Sequence, residues 1–294
     1  MLNGQALGWT LSTPLLLVLV AIMAFPFAFM LYISFTEWAA QVGPWWKSGL
    51  TGVENYASAL HDQRLLLAFL RTFFIAGAAV ALEGLIGLAL ALIVAEKLRA
   101  HRLFTTLFLL PMMVVPAVAG FIFFMLFQTA GPVNGALGLL TGGPIAVSWL
   151  AHSNTALFVA ILADVWQWTP LMFLIFLSGI LSVPPNLHDA TEALGATPWQ
   201  RFRYLTLPWL KQVIVIAIII RGIEALKIFD VVFLLTKGGP GTSTETISMY
   251  LYELAFRQFR FAYATAAALL ILIPIVLLAL RATIYLQKAE EVAR

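Results

Sequence analysis

The stretch "HDATEALGATPWQRFRYLTLPWL", residues 188–210, lies between two long apolar segments and differs from both in composition. Pro184 and Pro185 end the preceding apolar run, because proline cannot continue a helix. Gly195 separates two short helical patterns and is the residue type best suited to a left-handed C-cap. The stretch therefore predicts a helix, a glycine turn and a second helix in a loop outside the apolar segments.

Capping signals mark the start of both predicted helices. Asn186 is suited to be the first N-cap, with Asp189 three residues on in a weak variant of the capping box. Thr197 offers the second N-cap, Pro198 takes the first helical position, and Gln200 completes a Thr-x-x-Gln capping box. The second helix is predicted to end where the next apolar segment begins.

The composition is that of a membrane protein. Of 294 residues, 62% are hydrophobic and 11% are charged, whereas soluble domains are about 25% charged. The apolar runs are long enough to cross a hydrocarbon core of roughly 30 Å, and their continuity favours helices over strands. We predict an all-α integral membrane protein, one domain over residues 1–294 with six transmembrane helices. The spans are predicted at about 11–36, 66–95, 104–128, 153–181, 209–235 and 263–286, with a loop at 184–208.

Lysine and arginine are distributed unequally between the two sides of the predicted bundle. Nine lie on the side of the termini: Lys97, Arg99, Arg102, Arg201, Arg203, Lys211, Arg281, Lys288 and Arg294. Five lie on the other: Lys47, Arg64, Lys237, Arg257 and Arg260. The positive-inside rule predicts that both termini and the 184–208 loop are cytoplasmic.

The sequence lacks the residues that several classes of function require. Cysteine is absent, so disulfides and thiolate metal sites are excluded. No Gly-x-x-x-x-Gly-Lys-Ser/Thr loop is present for ATP, and the net charge of +3 gives no reason to expect nucleic-acid binding. The histidines fall in or beside separate loops without metal-ligand spacing: His61, His101, His152 and His188. We expect no metal site, no catalytic residue and no cofactor in this chain.

The residues of the 188–210 stretch leave two functions open. Small side chains at Ala190, Ala193 and Ala196 would let another backbone approach, and Asp189 and Glu192 form an acidic edge. This combination favours docking on a partner protein. The alternative is an amphipathic helix pair lying on membrane lipid, where basic side chains meet anionic headgroups.

The stretch resembles the signature loop of the permease subunits of bacterial ABC importers, which runs Glu-Ala-Ala, then Gly-Ala, and ends near Leu-Pro. Here it reads "DATEALGA" (189–196) and ends at Leu207 and Pro208. Two further segments resemble the carbohydrate branch of that family, "GLTGVENYASAL" (49–60) and "FDVVFLLTKGGPGTSTETISMYLYELAF" (229–256). The resemblance is to the first of that branch's two permeases. Asp189, Thr191 and Leu194 depart from the family's usual Glu, Ala and Asp, so the carboxylate at 189 is kept but is one methylene shorter.

The resemblance implies a permease of the bacterial inner membrane that carries a sugar by alternating access. It implies a second permease, an ABC ATPase dimer that binds ATP and Mg²⁺, and an extracytoplasmic solute-binding protein as partners. The coupling loop (184–208) would insert into the ATPase. The residues implied in this contact are Asp189, Ala190, Glu192, Ala193, Gly195 and Ala196.

The fifth predicted span carries four ionisable residues, Arg221, Glu224, Lys227 and Asp230. Ionisable groups at lipid depth usually face a protein interior or a cavity. Each is three residues from the next, with alternating sign, so neighbours can pair on a helix, and Arg221 would lie roughly 20 Å beyond Pro208. Either they fix helix packing by mutual neutralisation, or some of them, with Phe229, line the solute path. We expect the two ends of the series to differ.

Two other segments are candidates for solute or partner contact. In "ADVWQWTPLMF" (163–173), Trp166 and Trp168 point about 200° apart on a helix, so they serve either separate solute contacts or core packing. The turn at 238–241 is either a plain hairpin or a docking point for the binding protein.

Two other functions of the whole chain are alternatives to an importer permease: an ion-coupled secondary transporter, and an intramembrane enzyme that acts on lipid or glycan. Neither of them would need the 184–208 loop.

Overall fold

The computed structural model describes residues 4–95 and 101–293, and within these ranges the chain is helical except for loops and one isolated bridge between Thr36 and Leu50. Lys97, Arg99 and Arg294, which contribute to the predicted orientation, lie outside the described residues. In chain order the helices are α1 (Gly4–Ser34), α2 (Glu54–Leu60), α3 (Gln63–Ala95), α4 (His101–Met113), α5 (Pro116–Leu126), α6 (Pro132–Thr141), α7 (Ser153–Leu181), α8 (Pro185–Ala193), α9 (Pro198–Arg201), α10 (Leu207–Ala225), α11 (Asp230–Leu235), α12 (Ile247–Tyr252) and α13 (Phe261–Ala293). A 3₁₀ turn covers Trp45–Lys47, and π-helical turns cover Phe202–Thr206 and Glu253–Arg257.

Five helices in the described part of the chain are long and apolar enough to span a membrane, and the bent pair α4–α5 would make a sixth. The all-α membrane fold predicted from hydropathy is confirmed. The chain divides into two compact units, one of residues 1–66 with 250–274 and one of residues 67–249 with 275–294. The single domain predicted over 1–294 stays a prediction.

The first unit is organised around Asp62, which precedes α3. Its Oδ1 accepts hydrogen bonds from the backbone N–H groups of Arg64 (2.9 Å) and Leu65 (3.2 Å), as an N-cap does. Its Oδ2 accepts from the hydroxyls of Tyr250 (2.5 Å) and Tyr263 (2.6 Å). Burial raises the pKa of the Asp62 carboxyl, but these four hydrogen bonds outweigh it and hold the pKa below its usual value.

The core of the second unit forms where α3, α7 and α10 meet. Glycines allow the close approach: a Cβ on Gly87 of α3 would lie 2.8 Å from the Cβ of Met172, and one on Gly179 of α7 would lie 2.6 Å from a methyl of Leu210. Phe173 and Phe176 are fully buried between these helices. α7 is thus the central element of this unit.

The predicted third span, 104–128, is broken. α4 ends at Met113 and α5 begins at Pro116, with a bend of 98° between them. Val115 takes an extended conformation (φ −61°, ψ 136°), because a residue before proline is disfavoured in the α region. The carbonyl of Val114, left at the break, accepts a hydrogen bond from the side-chain amide of Gln167 at 2.7 Å.

The predicted fifth span, 209–235, is also broken, so the four charges do not lie on one helix. α10 ends at Ala225, and i→i+3 hydrogen bonds to Lys227 (3.1 Å) and Ile228 (3.2 Å) tighten its last turn. Phe229, at φ −139° and ψ −61°, turns the chain before α11 begins at Asp230. No proline or glycine marks this break in the sequence.

The broken segments pack against each other. A Cβ on Gly120 of α5 would lie 2.7 Å from the carbonyl oxygen of Val231 on α11 and 2.9 Å from its Cα. Phe123 of α5 and Phe127, the residue that follows α5, share a buried cluster with Val231 and with the first half of α7. The second unit therefore contains two discontinuous helices whose outer segments are in direct backbone contact.

Candidate functional site

The coupling loop has the helix–turn–helix form that the sequence predicts. Gly195 adopts φ +69° after α8. Its N–H bonds to the carbonyl of Glu192 (2.9 Å), and the N–H of Ala196 bonds to the carbonyl of Thr191 (3.0 Å), which is the Schellman pattern. The Thr197–Gln200 capping box is present, with both backbone bonds formed (2.8 and 3.3 Å).

Two details of the coupling loop differ from the sequence-based expectation. Pro184 rather than Asn186 is the N-cap of α8, because Pro185 is preorganised for the first helical position. The second helix does not end before Pro208. A π-helical turn, closed by a bond from the Leu207 N–H to the Phe202 carbonyl, carries it into α10. One helix of 28 residues therefore runs from Pro198 to Ala225.

The side chains implied in coupling lie on an accessible surface. Asp189, Ala190, Glu192, Ala193 and Gly195 are exposed, and Ala196 is half-buried. Large apolar side chains are exposed beside them: Leu194 is 86% exposed, and Trp199 and Tyr204 are also exposed. Arg201 lies 3.5 Å from Glu192, which ties the second helix to the first across the glycine turn. Exposed aromatic side chains such as Trp199 and Tyr204 are of the type enriched at protein interfaces, whose rims are polar.

Arg221 lies in a buried ionic cluster that joins three helices. Its Nε and Nη2 donate to Oε2 (2.7 Å) and Oε1 (3.0 Å) of Glu83 on α3. Nη2 also donates to Oδ2 of Asp164 on α7. The guanidinium lies 5.2 Å from the ring centroid of Trp168, and Arg221 is 1% exposed. Both acids are buried as well, so the Arg221 cluster (Glu83, Asp164, Arg221) is inaccessible to a solute in this conformation.

The other candidates of the fifth predicted span lie at or near the break after α10 and are accessible. Lys227 Nζ donates to Glu224 Oε1 at 2.8 Å, and both side chains are at least half exposed. Asp230 is exposed at the start of α11, and the Phe229 ring stacks on Phe233 with centroids 5.3 Å apart. The two ends of the charge series therefore differ, with Arg221 buried and Asp230 exposed.

The two tryptophans of α7 point in different directions, as their spacing predicts. Trp166 is partly exposed, and its ring lies 5.6 Å from that of Phe123 on α5. Trp168 faces the Arg221 cluster. Trp166 therefore lies beside the broken segments, whereas Trp168 is half-buried and packs against Arg221.

The 236–246 loop, which the sequence predicts to be external, is folded back on itself. The Thr236 and Thr244 hydroxyls are hydrogen-bonded at 2.6 Å, and the Thr244 hydroxyl donates to the Gly239 carbonyl at 2.8 Å. Arg71 of α3 donates to the Thr242 hydroxyl at 3.2 Å. Lys237 and Gly241 are exposed. The loop therefore holds its shape through hydrogen bonds between its own threonines and backbone and one from Arg71.

Sequence reasoning missed Glu83 and did not pair Asp164 with a cation. Glu83 is the one acidic residue in the 33 residues of α3, and a lone carboxylate at that depth needs a cation. That signal was available, but pairing it with Arg221 requires knowing that α3, α7 and α10 are neighbours.

Comparison with known proteins shows the family to which the chain belongs. The model of the family described as "Binding-protein-dependent transport system inner membrane component" matches residues 84–290. The chain belongs to this family. A probable ABC transporter permease protein, y4oQ of Sinorhizobium fredii, is 36% identical over 84% of this chain and 79% of its own length. The trehalose/maltose transport system permease protein MalF of Thermococcus litoralis is 31% identical over 96% of this chain and 92% of its own.

A solved structure shares the fold of this inner membrane component. It is a bacterial ABC transporter for import of the acidic polysaccharide alginate, with a TM-score of 0.80 at 21% identity over 95% of this chain and 96% of that one. The prediction of an ABC importer permease is confirmed at the level of family and fold. The chain is a multi-pass inner membrane transport subunit. The comparisons do not identify its site residues, which are described only by the geometry given above.

Proposed function

We propose that this permease carries a sugar or related carbohydrate across the inner membrane, with ATP and Mg²⁺ bound by a separate ATPase pair. The observation that carries the proposal is the coupling loop: a capped helix pair with exposed apolar and acidic side chains that is continuous with α10. Docking an ATPase there would apply force directly to a membrane helix. The names of the relatives, trehalose/maltose among them, support a saccharide.

In this proposal the solute path runs beside the broken helices. Irregular backbone at membrane depth is tolerated only where it is buried in protein or lines a cavity, and discontinuous helices often form transporter sites. Glu224, Lys227, Phe229 and Asp230 surround the break after α10, and Trp166 lies beside α5. Their polar and aromatic groups suit sugar hydroxyls and the C–H face of the ring. Arg221 and Trp168 are not assigned to the solute path, because Arg221 is buried and the Trp168 ring packs against it.

The partners follow from the two accessible surfaces. The ATPase pair binds the coupling loop, the solute-binding protein docks at the 236–246 loop, and a second permease completes the path. Both termini and the coupling loop are cytoplasmic in this arrangement.

Orientation is tested by single-cysteine labelling, because the native chain contains no cysteine. Leu139→Cys and Leu194→Cys place a thiol at positions 88% and 86% exposed, on loops predicted to lie on opposite sides. A membrane-impermeant maleimide is expected to label the first in intact spheroplasts and the second only after permeabilisation. The reverse pattern would overturn the orientation.

Coupling is tested by co-purification with the neighbouring permease and ATPase. Gly195→Arg is compared with Gly142→Arg, because both glycines have positive φ (+69° and +74°) and open space around a Cβ. Gly142 follows α6 in the loop predicted to be external, so it is a matched control. The ATPase should be lost from the first variant and retained by the second. A wild-type chain that purifies alone and still moves sugar in vesicles would favour a secondary transporter.

A further inference from the structure

We infer that the Arg221 cluster is a positioning centre that transmits movement of the coupling loop to α3 and α7. The inference rests on the proposed function. Its structural basis is the helix from Pro198 to Ala225, which has the coupling loop at one end and Arg221 near the other. Arg221 lies 23 residues from Pro198, or about 35 Å along the axis.

The cluster fixes both the position and the rotation of α10. A guanidinium presents its donors in a rigid planar fork, and here the fork is bidentate to Glu83 while one nitrogen also reaches Asp164. Apolar side chains between the same helices, such as Phe176 and Ala217, also hold them together, but hydrophobic contacts are not directional and do not fix the rotation of a helix as the guanidinium does. Movement of α10 is therefore passed to α3 and α7 through the ionic contacts.

The location of the cluster makes this transmission relevant to transport. Arg221 lies about one helical turn before the exposed Glu224–Lys227 pair. It lies only slightly further from the break that follows Ala225, the last residue of α10. Asp164 precedes Trp166 on α7, which contacts α5. The cluster thus lies between the surface proposed to receive force and the segments proposed to contact the solute.

The stability of such a cluster does not by itself explain its presence. Replacing a buried ionic cluster by packed apolar groups is often neutral or stabilising, whereas removing one member leaves a costly unpaired charge. A variant that removes all the charges together therefore separates packing from positioning. We use Glu83→Met/Asp164→Leu/Arg221→Met for this purpose. Arg221→Lys is the second variant, because it keeps the charge and removes the fork.

The measurement is the ratio of sugar transported to ATP hydrolysed in proteoliposomes containing the full complex. Arg281→Lys, at an exposed position where the apolar part of α13 ends, is the control. We expect the control to match the wild type. Both cluster variants should hydrolyse ATP, with a ratio reduced several-fold.

Three outcomes of this experiment would contradict the inference or the proposed function. An unchanged ratio in either cluster variant overturns the inference and makes the cluster a packing feature. Loss of assembly in Arg221→Lys, with the Arg281→Lys complex intact, also overturns it in favour of a purely structural role. Absence of ATP-dependent uptake in the wild type would instead contradict the proposed function.

Discussion

The glycine at 120 and the carbonyl of Val231 are so close that a Cβ on Gly120 would lie 2.7 Å from that oxygen. This contact joins the two discontinuous helices at the proposed solute path. Most transmembrane helix contacts of this kind use small residues, because only they allow the backbones to approach. The contact also places α5 and α11 in one rigid arrangement.

Gly120→Ala should therefore destabilise the protein, by about 1–3 kcal/mol for an overpacked core position. Loss of glycine from a helix interior returns at most about 1 kcal/mol, which does not offset this cost. Unfolding in detergent is the measurement. Gly77→Ala is the control, since a Cβ on Gly77 of α3 meets nothing within 4 Å. Equal stability of the two variants would show that α5 and α11 are not packed as described.

The glycine turn of the coupling loop gives a second prediction. Gly195 has φ +69°, and a left-handed conformation costs an L residue roughly 1–2 kcal/mol. We expect Gly195→Ala to weaken ATPase binding to the permease, and Gly195→Asn to weaken it less, because asparagine tolerates this conformation. Affinity of the purified ATPase for permease in nanodiscs measures the effect. Indistinguishable affinities for both variants and wild type would contradict it.

Asp62 gives a pH-dependent prediction. Its pKa is lowered in the folded chain, so it stabilises the fold at pH values above its unfolded pKa, about 3.9. That stabilisation is lost as the pH falls below this value and through the lowered folded pKa. Asp62→Asn should lower the melting temperature at pH 7, and the difference from wild type should shrink toward pH 3. The exposed Asp189→Asn serves as control and should melt like the wild type at pH 7.

The Glu224–Lys227 pair gives a fourth prediction, which concerns transport rather than stability. Exposed ion pairs contribute about 0–1 kcal/mol, so Lys227→Met should leave the melting temperature nearly unchanged. If the pair contacts sugar hydroxyls, the KM for uptake should rise several-fold. Arg281→Met is the matched control at an exposed position elsewhere. Unchanged uptake kinetics in Lys227→Met would remove this pair from the solute path.

Features that depend on near neighbours in the chain were predictable. The Thr197–Gln200 box and the turn at Gly195 both follow from residues within a few positions of each other, and both are present. The break at Pro116 carries a local signal, although the hydropathy of 104–128 concealed it. The break after Ala225 carries none, because no proline or glycine lies between Ala225 and Asp230.

The sequence by itself determined that this chain is a helical membrane protein with a capped loop outside the bilayer, because hydropathy and capping depend on composition and short-range spacing. Only the tertiary structure decided the partner of each charge. The spacing allows Arg221 to pair with Glu224, three residues on, but it pairs with Glu83, 138 positions earlier in the chain, and with Asp164. The physical reason is desolvation: a guanidinium buried between three helices needs acceptors from all of its neighbours, and those neighbours exist only after the helices have packed.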